Sequence, residues 1–112
     1  MLNVQNSYEV LLDPIIATAH ISLGIPSNCR LVRIFYKATR NSGTSPTLQA
    51  SICFAEDDGD LAPLDFDAQL TASGAGLLEV NFPPSRSMFV LTIGGTTPSW
   101  TVSYYIEIAS EY

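Results

Sequence analysis

Side chains that could carry out chemistry are few in this sequence and widely spaced. The single histidine, His20, falls in an alternating, β-type segment on the side opposite its apolar residues. An imidazole placed in this way is typical of a surface or interface residue rather than of a general base. No local nucleophile signature such as G-x-S-x-G accompanies it. We therefore expect the protein not to be an enzyme.

Two cysteines, Cys29 and Cys53, supply the thiols of the chain. Neither follows a helix start or a basic cluster that would activate it as a nucleophile. If residues 30–40 and 48–54 form a hairpin around Gly43, Cys53 lies opposite Ile34, which is roughly five residues or ~17 Å along the strand from Cys29. This hairpin register predicts two free, structural thiols rather than a disulfide.

The densest group of charges is EDDGD at residues 56–60, which could attract calcium. In the calcium-loop pattern a glycine is sixth, so that Phe54 would be first, where an oxygen ligand is needed, and Asp65 last, where Glu is usual. The pattern fails, and an acidic Asp-Gly turn explains the same letters. GGTTP at residues 94–98 also lacks the lysine of a phosphate-binding loop. The sequence predicts neither a metal site nor a cofactor.

Composition indicates a packed globular protein, and 112 residues are the usual size of one domain, which we place at 1–112. Apolar residues make up 46% and charged residues 14%. A net charge of −6 with only five Lys and Arg argues against nucleic acid as a partner. No apolar run is long enough to span a membrane, and no basic segment precedes an apolar block near the N-terminus. We expect a protein made and kept in a cytoplasm, without membrane contact.

Alternation with a period of two is the dominant pattern. Val32, Ile34 and Tyr36 fall on one face of their segment, while Phe35 falls on the other. Clusters of Gly, Pro, Asn and Ser separate about eight such segments, at residues 8–12, 15–23, 31–40, 48–55, 63–70, 77–82, 88–93 and 99–109. No helical stripe is present. The pattern predicts an all-β fold, an antiparallel β-sandwich of jelly-roll type.

One phrase occurs twice, as SGTSPTLQASICF from Ser42 and as GGTTPSWTVSYYI from Gly94. Glycine favours positive φ and proline cannot donate to a sheet, so each copy predicts a hairpin corner. One corner joins 31–40 to 48–55 and the other joins 88–93 to 99–109. Pro46 and Pro98 should then occupy equivalent corners, with Trp100 buried beside the second. The likeness fits convergent turn chemistry and also fits two similar hairpins stacked across a sandwich.

Candidate interface residues come from the strand phases and the chain ends. Phe35 and Tyr105 take the outward phase of their strands, where an aromatic side chain marks either a binding face or a face covered by a second sheet. Residues 1–7 are a possible N-terminal arm whose Leu2 and Val4 could dock on a neighbour, and ordinary fraying of the terminus fits them too. Tyr112 near the C-terminus completes the set.

The segments SGTSPTLQASICFAEDDGDLAPL and TASGAGLLEVNFPPSRSMFVLTIGGTTPSWTVSYYIEI together resemble small bacteriophage capsid decoration, or cement, proteins. The resemblance lies in the order of turns and strands and covers roughly residues 32–108. It implies a jelly-roll-like sandwich, often a homotrimer, that lies on the outside of an icosahedral head. There it would bind the major capsid protein and stabilise contacts between its subunits, as a virion component.

Two further interpretations remain open. Trp100, Tyr104, Tyr105 and Tyr112 could form a stacking platform for sugars, as in a carbohydrate-binding or host-adhesion module. Related β-sandwich modules also occur in phage tails and fibres, so a tail or fibre component fits the same strand pattern. Glycan binding separates the first of these interpretations from capsid decoration.

Overall fold

The computed structural model describes residues 2–10, 14–56 and 59–111. Their regular structure consists of strands in antiparallel pairs, and they contain no helix able to cross a membrane. The strands are β1 Leu2–Val10, β2 Ala19–Ser22, β3 Cys29–Ala55, β4 Leu61–Phe66, β5 Gly74–Asn81 and β6 Ser87–Glu111. The all-β, antiparallel part of the fold prediction is therefore confirmed, and the six strands of the described residues belong to one hydrogen-bonded sheet.

Two long strands organise the molecule. β3 and β6 pair antiparallel over almost their whole length, from Cys29 opposite Ser110 to Phe54 opposite Ser87. Both strands bend near their middle, at residues 42–47 and 94–99, where the register shifts. The bend divides each of them between two layers, and the four shorter strands pair with their outer sides.

The two layers face each other as in a jelly roll. In the first layer the order is β5, residues 29–42 of β3, residues 99–111 of β6, and β1. In the second layer it is β4, residues 47–55 of β3, residues 87–94 of β6, and β2. Alternation explains this arrangement, because alternate side chains of the two long strands, such as Ile34 and Ile52 of β3 and Phe89 and Val102 of β6, point into the space between the layers.

The core fills that space with apolar side chains from both layers. Phe89 of the second layer lies 6.4 Å from Tyr36 and 5.3 Å from Tyr104, both of the first layer, measured between ring centroids. Trp100 has no solvent-exposed surface, which confirms its predicted burial. Ile34 is equally enclosed, so the inward phase read from the sequence is correct for β3.

The predicted hairpins at the repeated phrase are wrong. The two copies of the phrase lie against each other, with Ser42 opposite Ser99 and Thr44 opposite Thr96, so each chain segment continues as one strand through its bend. The expected eight strands are therefore six in the described residues, because two predicted pairs merge into β3 and β6. Glycine and proline do bend the strands, but each bend meets the other instead of turning back on itself.

We call the place where the two bends meet, residues 42–47 of β3 and 94–99 of β6, the crossing. Its two sides have matching backbone conformations. Gly43 and Gly95 have φ angles of 123° and 101°, and Ser45 and Thr97, two residues further on, have 49° and 46°. A Cβ on Gly43 would lie 2.9 Å from the Pro98 Cα, and one on Gly95 would lie 2.6 Å from the Ser45 carbonyl oxygen. Pro46 and Pro98 thus occupy equivalent positions, as predicted.

The symmetry extends beyond the crossing. Ile15 and Trp100 exchange two backbone hydrogen bonds of 2.7 and 3.0 Å, and Leu48 and Leu70 exchange two of 3.0 and 2.7 Å. Each long strand also follows a Pro-Ser turn, in which the N–H of the fourth residue donates to the proline carbonyl, at residues 26–29 and 84–87. The β1-β2-β3 half and the β4-β5-β6 half are two copies of one arrangement.

Candidate interaction face

The outer surface of the first layer carries a row of apolar side chains across neighbouring strands. Phe35 on β3 lies opposite Tyr105 on β6 and Leu77 on β5. Phe35 and Leu77 are 42% and 44% exposed, and Tyr105 is half-buried. The Phe35 and Tyr105 rings are 6.2 Å apart and tilted. No second sheet covers this row within the described residues, so its solvent exposure needs a physical account.

Charged side chains border the row on both sides and cancel. The Arg33 Nε donates to the Glu79 Oε2 at 2.7 Å, and its Nη1 lies 3.5 Å from the Glu107 Oε1. Lys37 stands on the opposite side of the row. Two positive and two negative side chains sum to zero on this face, whereas the whole chain carries −6. We name the seven residues the aromatic face: Arg33, Phe35, Lys37, Leu77, Glu79, Tyr105 and Glu107.

The backbone under the aromatic face is fixed by a partly buried hydrogen bond. The Tyr36 hydroxyl, pointing inward from β3, donates to the Asp67 Oδ2 at 2.7 Å. A Cβ on Gly76 would overlap both partners, so glycine there leaves room for the bond. Burial, and then the hydrogen bond and the charge of Asp67, raise the pKa of the Tyr36 hydroxyl well above its ordinary value. Tyr36 is therefore a neutral donor that ties β3 to the segment after β4.

The candidate residues at the chain ends lie on or near the same layer. Leu2 and Val4 belong to β1, where they lie opposite Glu111 and Ala109, so the predicted arm forms part of a strand paired to its own chain. Val4 is 49% exposed. Tyr112 lies outside the described residues. The structure thus brings Phe35 and Tyr105 together. Val4 and half-buried Leu31 both lie opposite Ala109, on either side of β6.

The residues singled out for chemistry do not converge. Cys29 and Cys53 are free and buried at the two ends of β3, and Cys53 lies opposite Met88 rather than Ile34, because the predicted hairpin register is wrong. His20 is exposed on the second layer, opposite Val90. No three metal-ligating side chains meet among residues 2–10, 14–56 and 59–111. Asp57 and Asp58, two of the four carboxylates of the acidic run, lie outside those ranges.

The proposed sugar platform is not formed. Trp100 and Tyr104 point into the core, with 0% and 3% of their surface exposed, so neither ring can stack on a sugar. Only Phe35 and Tyr105 of the aromatic face were predicted as interface residues. Five were missed, namely Arg33, Lys37, Glu107 and, on β5, Leu77 and Glu79. A strand was predicted around Leu77 and Glu79, but its pairing with β3 is a contact between distant segments that alternation cannot reveal.

No family model and no curated protein matches the sequence. Several solved structures share the fold. A protein of the Bacillus endospore appendages, which form disulfide-linked pili, has a TM-score of 0.57 at 15% identity, over 98% of this chain and 89% of that one. The CBM22-1 xylan-binding domain from Paenibacillus barcinonensis Xyn10C has a TM-score of 0.56 at 10% identity, over 99% of this chain and 87% of that one.

The SPBc2 prophage-derived protein YomS is a third neighbour, with a TM-score of 0.54 at 7% identity over 96% of each chain. Identities this low show a common fold and nothing more. The fold is therefore one that occurs in structural proteins, in a phage-derived protein and in a carbohydrate-binding module.

Proposed function

We propose that the chain is a non-enzymatic structural protein of a bacteriophage virion. It binds the outside of an icosahedral head and stabilises contacts between subunits of the major capsid protein. The observation that carries the proposal is the aromatic face, an exposed apolar row whose flanking charges cancel on an otherwise acidic protein. Desolvation of this face costs less than that of a singly charged surface, because its charges sum to zero and Arg33 is already paired with Glu79 and Glu107. Burying its rings favours association.

The aromatic face suits a partner that is present in many copies. A single patch of this size supports a weak contact, but a homotrimer on the capsid surface would present three patches at once and gain avidity. The −6 charge of the chain lies outside the face, so a partner surface that is itself acidic would be repelled least by the face. The shared fold with a prophage-derived protein supports a phage origin.

The test is co-sedimentation of the protein with heads stripped of it and then titrated back. We expect saturable binding at a fixed ratio to the capsid subunit, and that ratio reports whether the protein binds as a trimer. Phe35→Ser should weaken binding by at least an order of magnitude. Phe66→Ser is the matched control, since Phe66 is a 61% exposed aromatic on the second layer. Equal losses for both variants, or no binding to heads, would contradict the proposal.

Carbohydrate binding is the second candidate, and the fold shared with a xylan-binding domain favours it. The burial of Trp100 and Tyr104 removes the predicted platform, which leaves exposed Phe66 near Pro63 as the surface available for stacking in the second layer. Binding to immobilised glycans that Phe66→Ser abolishes and Phe35→Ser leaves intact would establish this function in place of capsid decoration. Binding to purified tails or fibres alone would instead indicate a tail component.

A further inference from the structure

Every strand pair in the described residues joins the first half of the chain, residues 1–55, to the second half, residues 61–112. β1 and β2 pair with β6, while β4 and β5 pair with β3. The central pair of β3 with β6 and both isolated bridges also join the halves. Neither half has a strand pair of its own within those residues. Each half therefore completes the sheet of the other.

The halves also offer each other equivalent surfaces. The bridge of Ile15 to Trp100 has its counterpart in Leu48 and Leu70, and the crossing glycines Gly43 and Gly95 contact each other's bends reciprocally. A second half from another copy presents the same strands and the same bend. The pairing surfaces hence do not distinguish a half of the same chain from a half of a second copy.

A short acidic connection is all that links the halves covalently. The Gly59 N–H donates to the Glu56 carbonyl at 3.0 Å, and the Glu56 N–H donates to the Asp60 carbonyl at 2.9 Å, with Gly59 at a φ of 89°. Four of the five connecting residues carry a carboxylate. Their mutual repulsion opposes the compact connection that these two hydrogen bonds close, and an extended connection relieves that repulsion.

We propose that the two halves exchange between copies of this chain. The first half of one copy pairs with the second half of another, and the smallest closed product is an intertwined dimer. Exchange keeps all strand pairs and core contacts and changes only residues 56–60, so concentration and the connection decide between the closed and the exchanged form. An exchanged oligomer carries several aromatic faces, although exchange itself does not depend on capsid binding and is measured without heads.

Deletion of residues 56–60 tests the proposal in the full chain. Ala55 and Leu61 lie opposite each other in the β3–β4 pair, and two residues joined directly cannot pair across a hairpin. The deletion variant can then satisfy its strand pairs only by exchange. We expect light scattering to give at least twice the chain mass with an unchanged far-ultraviolet circular dichroism spectrum. A folded monomer would overturn the proposal.

A covalent trap separates exchange from ordinary surface association. Thr39 and Thr101 are opposite each other in the β3–β6 pair, so Thr39→Cys with Thr101→Cys places two thiols at disulfide distance. On a non-reducing denaturing gel, the closed full-length chain gives an internal disulfide and the monomer band. The exchanged deletion variant gives a cross-linked dimer. A deletion variant that is dimeric in solution but gives the monomer band would overturn exchange.

The unaltered chain supplies a second measurement in case the deletion variant does not fold. Two preparations of the unaltered chain, each with a different affinity tag, are mixed, unfolded, refolded together at high concentration and separated by size. We expect each tag to retrieve the other from the oligomer fraction, and a longer Gly/Ser segment inserted after Gly59 to lower the mixed fraction by an order of magnitude. Absence of mixed oligomers, or equal yields from both connections, would count against the proposal.

Discussion

Trp100 is the largest side chain of the core, and its indole N–H finds no acceptor among the described residues. Truncation by Trp100→Ala should lower the free energy of unfolding by roughly 3–5 kcal/mol, because the enclosed site cannot collapse fully. Trp100→Phe should lower the free energy of unfolding by about 2 kcal/mol less than Trp100→Ala does. Phenylalanine keeps most of the ring, and the substitution removes an unpaired buried donor. Urea unfolding followed by circular dichroism measures both values.

The exposed Phe66→Ala is the control for these substitutions and should change stability by about 0.5 kcal/mol or less. Losses for Trp100→Ala below about 1 kcal/mol would contradict a well-packed core at this position.

The Tyr36–Asp67 hydrogen bond makes stability depend on alkaline pH. The pKa of Tyr36 is raised in the folded protein, so above the unfolded value of about 10 the unfolded chain releases a proton that the folded chain retains. The stabilisation is complete below that pH and is lost as pH rises towards the folded pKa. Tyr36→Phe should be destabilising by about 1 kcal/mol at neutral pH and should show a shallower alkaline decline.

Urea unfolding of the wild-type protein and Tyr36→Phe between neutral and strongly alkaline pH tests this expectation. Tyr105→Phe is the control, because Tyr105 lies on the outer face and no described contact ties its hydroxyl to a carboxylate. Parallel pH curves for the wild type and Tyr36→Phe would show that this bond does not set the alkaline limit.

At the scale of the elements, the crossing of β3 and β6 holds the two layers together. Gly43→Ala and Gly95→Ala each place a methyl group against the backbone of the other strand and force a residue with a side chain to adopt positive φ. Gly24→Ala is the matched control, since Gly24 has a φ of 61° with no atom within 4 Å of the added Cβ.

We expect Gly24→Ala to be destabilising by roughly 1–2 kcal/mol from backbone strain, and the two crossing variants by about 2 kcal/mol more. Thermal or urea unfolding of the three variants gives the comparison. Equal losses of unfolding free energy in the three variants would mean that the two strands can move apart at their bends and that the crossing is not tightly packed.

The same elements show what the sequence could predict. Alternation correctly gave the inward phase of Ile34, Tyr36 and Trp100, because side-chain period depends only on the strand itself. Gly43 suggested a hairpin, since glycine and proline usually end strands, and here that inference failed. The partner of the bend is another bend more than fifty residues away, and only tertiary packing selects it. The pairing of Leu77 with Phe35 was invisible for the same reason.

The charge of the whole molecule is unevenly placed, and this sets how it can bind. The aromatic face is neutral, while the remainder of the chain carries the full −6. An acidic partner surface is therefore approached with least repulsion through the aromatic face, and salt should matter less to this docking than to a contact between charged surfaces.

Interlocking predicts that the whole molecule unfolds in one step. Since every strand pair among residues 2–10, 14–56 and 59–111 joins the two halves, a half that loses its partner retains none of these pairs. Ile34→Ala in the first half should lower the free energy of unfolding by roughly 2–5 kcal/mol. The urea midpoint read from the fluorescence of Trp100, in the second half, should then shift as far as the midpoint read from circular dichroism. Separate midpoints would indicate that the second half folds independently and would contradict the interlocked architecture.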